Sequence, residues 1–265
     1  MIRIASRQNP RFREVARLVA SSRERRKTRR AILEGEHVVA EYLARFGAPE
    51  VLVLNEDAAH RPGIAALVAG VPAASVLLLS RALFDGLGAL PPEVGVIAIA
   101  PAPSPPAGTA AGGSFLFLAE AIQDPGNLGS MMRSAAALGV DAVHLSSDCA
   151  FPWSPKVLRA GQGAHFRLAI HEDADLVAAA RAFRAAGGRV LAAVAAGGIP
   201  LPGVRTNGRV AVAVGNEGAG LSAALRAEAD EAVTIPMPGG TESLNAAAAA
   251  AVMLYEVARS RVTPG

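Results

Sequence analysis

The sequence predicts an α/β protein whose second half is built on a parallel sheet, with a smaller α/β domain in front of it. Short apolar runs alternate with helix-like segments along most of the chain. In the second half these runs are apolar at every position, as in FLFLA at 115–119 and VAVAV at 210–214. Strands buried on both faces have this pattern, which favours a parallel sheet covered by helices on both sides.

A change of composition near residue 100 separates two predicted domains. Residues 101–113 read PAPSPPAGTAAGG and carry no charge, which is typical of a linker that is stiff at its proline-rich start and flexible later. Apolar runs at 51–54 and 95–100, with helix-like segments between them, favour a small α/β domain before the linker. We therefore expect one domain at 1–100 and a second at 114–265.

Positive charge is concentrated at the start of the chain. Residues 1–30 contain eleven Lys or Arg but only two acidic residues, although the net charge of the whole chain is +3. A basic segment on a nearly neutral body is typical of a protein that binds nucleic-acid phosphates. A solvated helix surface in an arginine-rich protein is the alternative. The segment SSRERRKTRR at 21–30 is too highly charged to bury, and we expect a loop or an exposed helix end there.

Several classes of protein do not fit this composition. Cys149 is the sole cysteine, which excludes an intramolecular disulfide framework and a multi-cysteine zinc site. No apolar run reaches the roughly 20 residues of a membrane span, and the N-terminus lacks an apolar signal core. We expect a soluble, cytoplasmic protein with an inert Cys149 and with Trp153 packed in a loop. No metal site is predicted, because the histidines lack ligand spacing; they are His37, His60, His144, His165 and His171.

The first of three polar loops follows the predicted strand at 115–119 and reads DPGNLGSMMRSAAALG. Such loops matter because ligands of open parallel sheets bind beyond the carboxyl ends of the strands. Asn127 can cap the helix that begins there, and Arg133 lies on the same helix beside Met131 and Met132. A charge among apolar neighbours needs a partner, and a guanidinium suits a phosphate or a reacting ribose. A helix cap with a surface arginine is the alternative.

The second loop, GNEGAG at 215–220, follows the strand at 210–214 and precedes a helix. It resembles a phosphate-binding loop, but its glycines have the order G-x-x-G-x-G and not the G-x-G-x-x-G of dinucleotide sites. Its one ionisable group is Glu217. A nucleotide-dependent oxidoreductase therefore has only this imperfect glycine pattern in its favour.

The third loop, PMPGGTESLN at 236–245, follows a strand that ends at Pro236. We expect an alanine-rich helix to begin around Glu242, so that Ser243 and Asn245 lie at its N-terminus. Free backbone N–H groups and the helix dipole favour an electron-rich ligand at such a position. Capping of the helix by Thr241 or Ser243 is the alternative.

Taken together, the three loops resemble the motifs of the SpoU (TrmH) family of RNA ribose 2′-O-methyltransferases, which belongs to the SPOUT superfamily. The matching segments are the one from Asn127 to Gly139, then GNEGAGL, then IPMPGGTESLNAAAAAAVMLYE, in the order and spacing of the family. The resemblance covers all of 114–265. The N-terminal stretch containing NPRF also resembles the ribosomal-protein-like substrate-binding domain of that family.

The resemblance implies features that the sequence pattern alone does not reveal. It implies a deep C-terminal trefoil knot, a homodimer and the cofactor S-adenosylmethionine, bound through backbone groups at Gly215, Ile235 and Leu244. The strand end LAAVAAGG at 191–198 would form another wall of the cofactor pocket.

The resemblance also implies a set of catalytic residues. Arg133 matches the arginine proposed to bind phosphate and to help deprotonate the ribose 2′-hydroxyl, a role that rests on the family because arginine is a poor base. Orientation of the 2′-oxygen toward the methyl sulfonium is the other contribution. The remaining polar motif positions would hold substrate and active geometry; they are Asn127, Glu217, Ser243 and Asn245. Ser130 and Ser134 stand where the family often has Ala and Thr.

The sequence thus predicts an enzyme that methylates a ribose 2′-oxygen of structured RNA, with ribosomal RNA favoured over transfer RNA. The alternative from another class is a non-catalytic RNA-binding protein that keeps the knotted domain as a platform for dimerisation.

Overall fold

The computed structural model describes residues 1–88, 94–106 and 113–261, and within them the chain forms two compact units. The α/β prediction is confirmed. The first unit comprises Met1–Pro103 together with Trp153–Phe166, and the second comprises Ser104–Pro152 and Arg167–Gly265. Part of the predicted linker at 101–113, namely 107–112, lies outside the described residues.

The first unit has a mixed sheet with the strand order β1-β4-β3-β5-β2. Strands β1, β3 and β4 are mutually parallel, and β5 runs antiparallel to its neighbours β2 and β3. The strands are β1 (Ile2–Ile4), β2 (Arg30–Glu34), β3 (Val51–Asn55), β4 (Val76–Leu79) and β5 (Val96–Pro101). The helices are α1 (Pro10–Ala20), α2 (Ser22–Thr28), α3 (Glu36–Phe46), α4 (Pro62–Ala69) and α5 (Arg81–Asp85), with a 3-10 turn at Ala73–Ser75.

Helix α1 begins where the sequence requires it to begin. The side chain of Asn9 accepts a hydrogen bond from the Arg11 N–H, and Pro10 occupies the first turn, where its missing N–H is not needed. Phe12, Val15 and Leu18 then recur at helical spacing and are buried in the core of the unit.

The segment at 21–30 differs from its prediction, because it forms helix α2 and because Arg25 within it is buried. The guanidinium of Arg25 donates to the carbonyl oxygens of Leu18 and Val19 at 2.7 and 2.8 Å. These are carbonyls at the end of α1, which lack partners within their own helix. The charge is tolerated because it closes that helix end, and burial lowers the pKa of Arg25.

A helix from later in the sequence completes the first unit. Helix α7 (Pro155–Gly161) and most of the 3-10 turn at Ala164–Arg167 belong to it. Arg159 on α7 forms an ion pair with Glu34 at the end of β2. Glu34 is 8% exposed, and its burial raises the pKa of its carboxyl group although Arg159 opposes the shift. Trp153 is fully buried, in line with the predicted packing role.

The second unit has the predicted parallel sheet, in the order β10-β12-β9-β11-β6-β7-β8. The strands are β6 (Phe115–Ala119), β7 (Ala142–Leu145), β8 (Ala169–His171), β9 (Arg189–Ala193), β10 (Ile199–Pro200), β11 (Val210–Val214) and β12 (Glu231–Thr234). The helices are α6 (Pro125–Ala137), α8 (Leu176–Ala185), α9 (Ala223–Ala227) and α10 (Ala246–Arg259), with a 3-10 turn at Leu201–Gly203. Strands β6 and β11 are buried at every residue, which explains their continuous apolar sequences.

Two helix starts in this unit differ from their predictions. Helix α10 begins at Ala246 and not around Glu242, because Asn245 has a non-helical backbone and its side-chain oxygen accepts from the N–H groups of Ala247 and Ala248. Helix α6 is capped by Asp124, whose carboxylate accepts from the Asn127 N–H at 2.7 Å. Asn127 is therefore not a cap, and its side chain is free for other contacts.

None of the helices within the described ranges is long and apolar enough to cross a membrane.

Candidate active site

The loops that follow β6, β11 and β12 meet at the carboxyl ends of these strands. A cavity of 330 Å³ lies there, within the size range of small-molecule sites. The predicted cofactor-binding residues Gly215, Ile235 and Leu244 all line it. Ala193 to Ala196, from the end of β9, form another part of its wall, as the strand-end prediction has it.

A second cavity, of 270 Å³, adjoins the first. It is lined by the segment from Ile122 to Asp124, by Asn127 and by part of the loop after β11. Asn216, Glu217 and Gly218 line both cavities. Two bound groups could therefore approach each other across this loop, as a transfer reaction requires.

Three of the predicted catalytic residues form one hydrogen-bonded group between the cavities. The side-chain N–H of Asn127 donates to Oε1 of Glu217. Asn245 Nδ2 lies 3.0 Å from Oδ1 of Asn127 and 3.0 Å from Oε1 of Glu217. Asn245 also caps α10 through its other amide atom, so the helix start fixes the orientation of the amide. Residues 118 positions apart in the chain are thus held in one geometry.

The other two predicted catalytic residues are not part of this group. Ser243 lines the larger cavity. Arg133 is exposed on α6, and among the residues in the described ranges none forms a hydrogen bond or an ion pair with its side chain. Met131 and Met132, its neighbours in the sequence, are buried while Arg133 itself faces solvent. Its guanidinium is available to a ligand from outside.

The loop after β11 has a conformation that only glycine permits at its first position. A Cβ atom on Gly215 would lie 2.3 Å from the backbone of Gly220 and 2.5 Å from the N atom of Leu221. The two ends of the loop therefore pass close to each other. A β-carbon at Gly218 would meet only Oδ1 of Asn216, at 3.5 Å, which is an ordinary contact. The close approach shapes the cavity floor between β11 and the loop.

Asn216 is a site residue that the sequence analysis missed. Its amide donates to the carbonyl of Ala121 at 3.0 Å and accepts from the N–H groups of Gly218 and Ala219 at 2.8 and 3.2 Å. Ala121 has a φ of +53°, which is uncommon outside glycine and is stabilised by this contact. Asn216 thus joins the loop after β11 to the loop after β6. An asparagine following a glycine in a turn is the signal that could have identified it.

Cys149 contacts the end of β6 and the loop that follows it. Its sulfur accepts from the Ile122 N–H at 3.4 Å and lies 3.3 Å from the carbonyl oxygen of Ala119. Burial raises the pKa of the Cys149 thiol, so the unreactive thiol form is favoured. The role of Cys149 is packing, in agreement with the prediction that it is inert.

The described histidines and acidic residues do not come together as metal ligands. Within the ranges that the structure describes, no group of three or more His, Cys, Asp or Glu side chains could hold a metal ion. His144 and His171 stack on each other, with ring centroids 4.5 Å apart. His165 packs against Trp153.

The larger cavity suits an amphiphilic ligand such as S-adenosylmethionine. Small apolar side chains and exposed backbone groups make up most of its lining, and Glu217 and Arg226 are its charged residues. Backbone N–H and C=O groups at strand ends and helix starts can hydrogen-bond an adenine ring, while the carboxylate of Glu217 favours a cationic sulfonium nearby. The residues present therefore fit this cofactor.

Comparison with known proteins agrees with this geometry. Residues 114–255 match the model of the SpoU rRNA Methylase family. The chain is 33% identical over 258 residues to the 23S rRNA (guanosine(2553)-2′-O)-methyltransferase RlmP of Bacillus subtilis (strain 168), which covers 97% of this chain and 99% of that relative.

Two solved structures resemble the whole chain. One is the AdoMet-bound rRNA methyltransferase from Sinorhizobium meliloti, with a TM-score of 0.81, 28% identity and coverage of 99% of this chain and 98% of that one. The other is the SpoU methyltransferase AviRb from Streptomyces viridochromogenes in complex with AdoMet, with a TM-score of 0.83, 26% identity and coverage of 97% and 99%. The matched residues include all three loops of the site, and the chain belongs to the SpoU rRNA methylase family.

Proposed function

We propose that this protein transfers a methyl group from S-adenosylmethionine to a ribose 2′-hydroxyl of ribosomal RNA. One observation carries the proposal: Asn127, Glu217 and Asn245 form a hydrogen-bonded group between two adjoining cavities. One cavity suits the cofactor, and the other is open for a nucleoside. The similarity to a relative named as a 23S rRNA 2′-O-methyltransferase supports ribosomal RNA as the substrate.

In the larger cavity, we assign the cofactor to backbone groups at Gly215, Ile235 and Leu244, with Ser243 beside them. When bound, S-adenosylmethionine supplies a methyl group made electrophilic by its sulfonium. The narrow loop at Gly215 fixes the wall against which the ligand lies. Apolar side chains such as Val194 exclude water from that wall.

The smaller cavity would receive the target ribose. Asn127 and Asn245 keep Glu217 in one rotamer, so a ribose that hydrogen-bonds to this group is held in one orientation. Arg133, exposed and without a partner in the described ranges, would bind a phosphate next to that ribose. A guanidinium is protonated at neutral pH, so its contribution is to hold substrate and to stabilise the developing alkoxide.

The first 100 residues would serve as the RNA-binding domain, of the ribosomal-protein-like kind, and 114–265 as the methyltransferase domain, with 101–113 joining them. Basic side chains on α1 and α2 support this assignment, since Arg13, Arg23 and Lys27 are exposed. Exposed cations on two successive helices attract the phosphates of structured RNA. We assign the protein to the cytoplasm, where ribosomal RNA is found.

We further propose the trefoil knot and the homodimer of the SPOUT superfamily for the second domain. Two apolar side chains on α10, Val252 and Tyr255, are 39% and 58% exposed, as expected of a helix face that a second copy would cover. Chemical crosslinking and sedimentation would test the dimer. A single monomeric species at micromolar concentration would contradict it.

The reaction is tested by transfer of labelled methyl from S-adenosylmethionine to unmodified ribosomal and transfer RNA transcripts, followed by alkaline digestion. A 2′-O-methyl group blocks alkaline cleavage, so label in a dinucleotide from ribosomal RNA is the expected result. Label in mononucleotides would mean base methylation and would contradict the proposed methylation of the ribose. Label in transfer RNA alone would show that the substrate is transfer RNA and not ribosomal RNA.

The variant Arg133→Ala separates the enzyme from the second candidate, a non-catalytic RNA-binding protein. Because Arg133 is exposed and pairs with none of the described residues, its removal should leave the unfolding free energy within about 0.5 kcal/mol of the wild type. Methyl transfer should be lost while RNA binding remains. A wild-type protein that binds RNA and shows no transfer to any transcript would favour the non-catalytic candidate.

A further inference from the structure

Arg226 is the one cationic side chain that lines the larger cavity, among the residues that line it in the described ranges. It lies on the short helix α9, immediately after the loop at 215–221 that separates the two cavities. Its side chain is exposed and forms neither a hydrogen bond nor an ion pair with any described residue. None of the three loop motifs includes it.

The acidic side chains near Arg226 in the sequence are paired with other arginines. Glu228 pairs with Arg181 at 2.8 Å and with Arg184 at 3.7 Å. Asp230 pairs with Arg184 at 3.0 Å, and Glu231 pairs with Arg189. Helix α8 and strand β9 thus supply the cations for the acids that follow α9, and Arg226 has none of the described acidic residues as a partner.

The other charged residue of the cavity lining, Glu217, is held elsewhere. Its Oε1 atom accepts hydrogen bonds from Asn127 and Asn245, on the side of the cavity shared with the nucleoside site. The larger cavity therefore has an anionic group on the side that it shares with the smaller cavity and a cationic group, Arg226, that does not line the smaller one. A ligand with a cationic centre and a separate carboxylate would match both, whereas an adenosine alone would use neither.

We propose that Arg226 binds the α-carboxylate of S-adenosylmethionine and so fixes the aminoacyl end of the cofactor. This inference rests on the proposed function. Guanidinium and carboxylate are geometrically matched, because two parallel N–H groups meet two oxygen atoms. With its carboxylate held at Arg226, the cofactor would have its cationic sulfonium available to the carboxylate of Glu217, which also lines the smaller cavity. Arg226 is a cofactor-binding residue and takes no part in the chemical step.

The test is a binding measurement with two ligands that differ in the aminoacyl group. S-Adenosylhomocysteine retains the carboxylate, whereas 5′-methylthioadenosine has the same adenosine and thioether sulfur without it. Calorimetric titration of the full chain is compared for the wild type, Arg226→Ala and Arg226→Lys. The matched control is Arg181→Ala, which removes the same charge from the same unit away from the cavity.

We expect Arg226→Ala to raise the Kd for S-adenosylhomocysteine about tenfold, with the Kd for 5′-methylthioadenosine unchanged. Arg226→Lys should recover part of the affinity, because lysine keeps the positive charge. The recovery should be incomplete, because lysine cannot form the bidentate hydrogen bonds of a guanidinium. The Arg181→Ala control should bind both ligands as the wild type does.

Three results would overturn the assignment. If Arg226→Ala weakens both ligands equally, the guanidinium contacts the adenosine or supports the fold. If Arg226→Ala weakens the binding of neither ligand, Arg226 binds no cofactor group. A loss of RNA affinity in the same variant would then assign Arg226 to binding a phosphate. If the wild type itself binds neither ligand, the proposed function fails, and the inference fails with it.

Discussion

Two sets of polar side chains, one in each unit of this chain, have different surroundings. In the first unit the buried carboxylate of Glu34, paired with the partly exposed Arg159, and the buried guanidinium of Arg25 lie within the packed structure. In the second unit the polar group of Asn127, Glu217 and Asn245 lies at cavities open to ligands. The buried charges of the first unit find partners within the chain, Arg159 for Glu34 and the carbonyl groups of Leu18 and Val19 for Arg25. In the second unit the polar group of Asn127, Glu217 and Asn245 remains accessible to a substrate.

The difference has a simple origin in sheet type. A parallel sheet brings the carboxyl ends of its strands to one edge, where the loops after β6, β11 and β12 meet. The mixed sheet of the first unit has antiparallel pairs, so its strand ends are divided between the two edges. Converging loops favour a catalytic site, whereas a surface with dispersed basic side chains favours binding to an extended polyanion.

If this contrast is correct, the amide of Asn245 should matter to activity far more than to folding. Asn245→Ala removes two hydrogen bonds of the polar group and the cap of α10. We expect methyl transfer to fall by about 10²- to 10³-fold and the unfolding free energy to fall by about 1 kcal/mol. Steady-state transfer assays and urea unfolding provide the measurements.

The control for this variant is Asp175→Ala, which removes the cap of α8 in the same unit. It should cost a similar unfolding free energy and leave methyl transfer intact. Equal losses of activity in the two variants would mean that Asn245 acts only through helix stability.

The loop between the two cavities should tolerate a methyl group at one glycine and not at another. Gly215→Ala places a Cβ within 2.3 Å of the Gly220 backbone, which must then shift. We expect a loss of about 1–3 kcal/mol in unfolding free energy together with weaker cofactor binding. Thermal unfolding and calorimetric titration measure the two effects.

Gly218→Ala is the matched substitution in the same loop, where the added carbon has room. Its melting temperature should stay near that of the wild type. If both variants unfold at the same temperature, the close approach at Gly215 is not a constraint on the loop.

The basic surface of the first unit should act through salt-dependent binding to RNA. Replacing the exposed Arg23 and Lys27 by Gln should weaken RNA binding about tenfold at low salt and reduce the slope of log Kd against log salt by about one to two. The equivalent charge change at the exposed residues Arg45 and Lys156 is the control. Filter binding over a range of salt concentrations measures both double variants. If the two variants lose the same RNA affinity and show the same salt dependence, the assignment is wrong.

The smallest effect concerns Glu34, and it appears as a pH dependence of stability. Burial raises the pKa of Glu34 in the folded protein, so the folded state holds this proton more tightly than the unfolded chain does. Below the unfolded pKa both states are protonated. As the pH rises from there through the folded pKa, the wild type loses stability, whereas Glu34→Gln does not.

The stability of Glu34→Gln relative to the wild type should therefore increase with pH over this window. Urea unfolding at a series of pH values measures the trend, and Glu50→Gln, on a more exposed carboxylate paired with Arg30, is the control. A trend of the opposite sign would show that the ion pair with Arg159 outweighs burial.

Much of the fold follows from local patterns in the sequence. Continuous apolar strands such as VAVAV at 210–214 require burial on both faces, and a parallel sheet is the arrangement that provides it. Because the loops of a parallel sheet share an edge, the meeting of the three loops could be anticipated from their positions after strands, whereas the choice of Gly215, Ile235 and Leu244, which line the cavity, came from the family resemblance. Family membership followed from the order of three motifs.

Contacts between distant residues lay beyond those patterns. Propensity did not reveal that Asn245 would cap α10, that Asp124 would cap α6, or that Arg25 would be buried, because each depends on the position of a particular backbone group. The same holds for the pairing of Glu34 with Arg159, 125 residues away.

Local periodicity therefore established the layers of the protein and the edge on which its site lies. Tertiary packing selected which charges are neutralised within the chain and which remain for a ligand. Arg226 is one of the six arginines from position 181 to position 226. Neither the local composition nor its spacing along the chain distinguishes it from the other five. In the folded chain the acidic residues that follow Arg226 form ion pairs with Arg181, Arg184 and Arg189. The sequence does not reveal these pairs, because an ion pair depends on distance in space and not on separation along the chain.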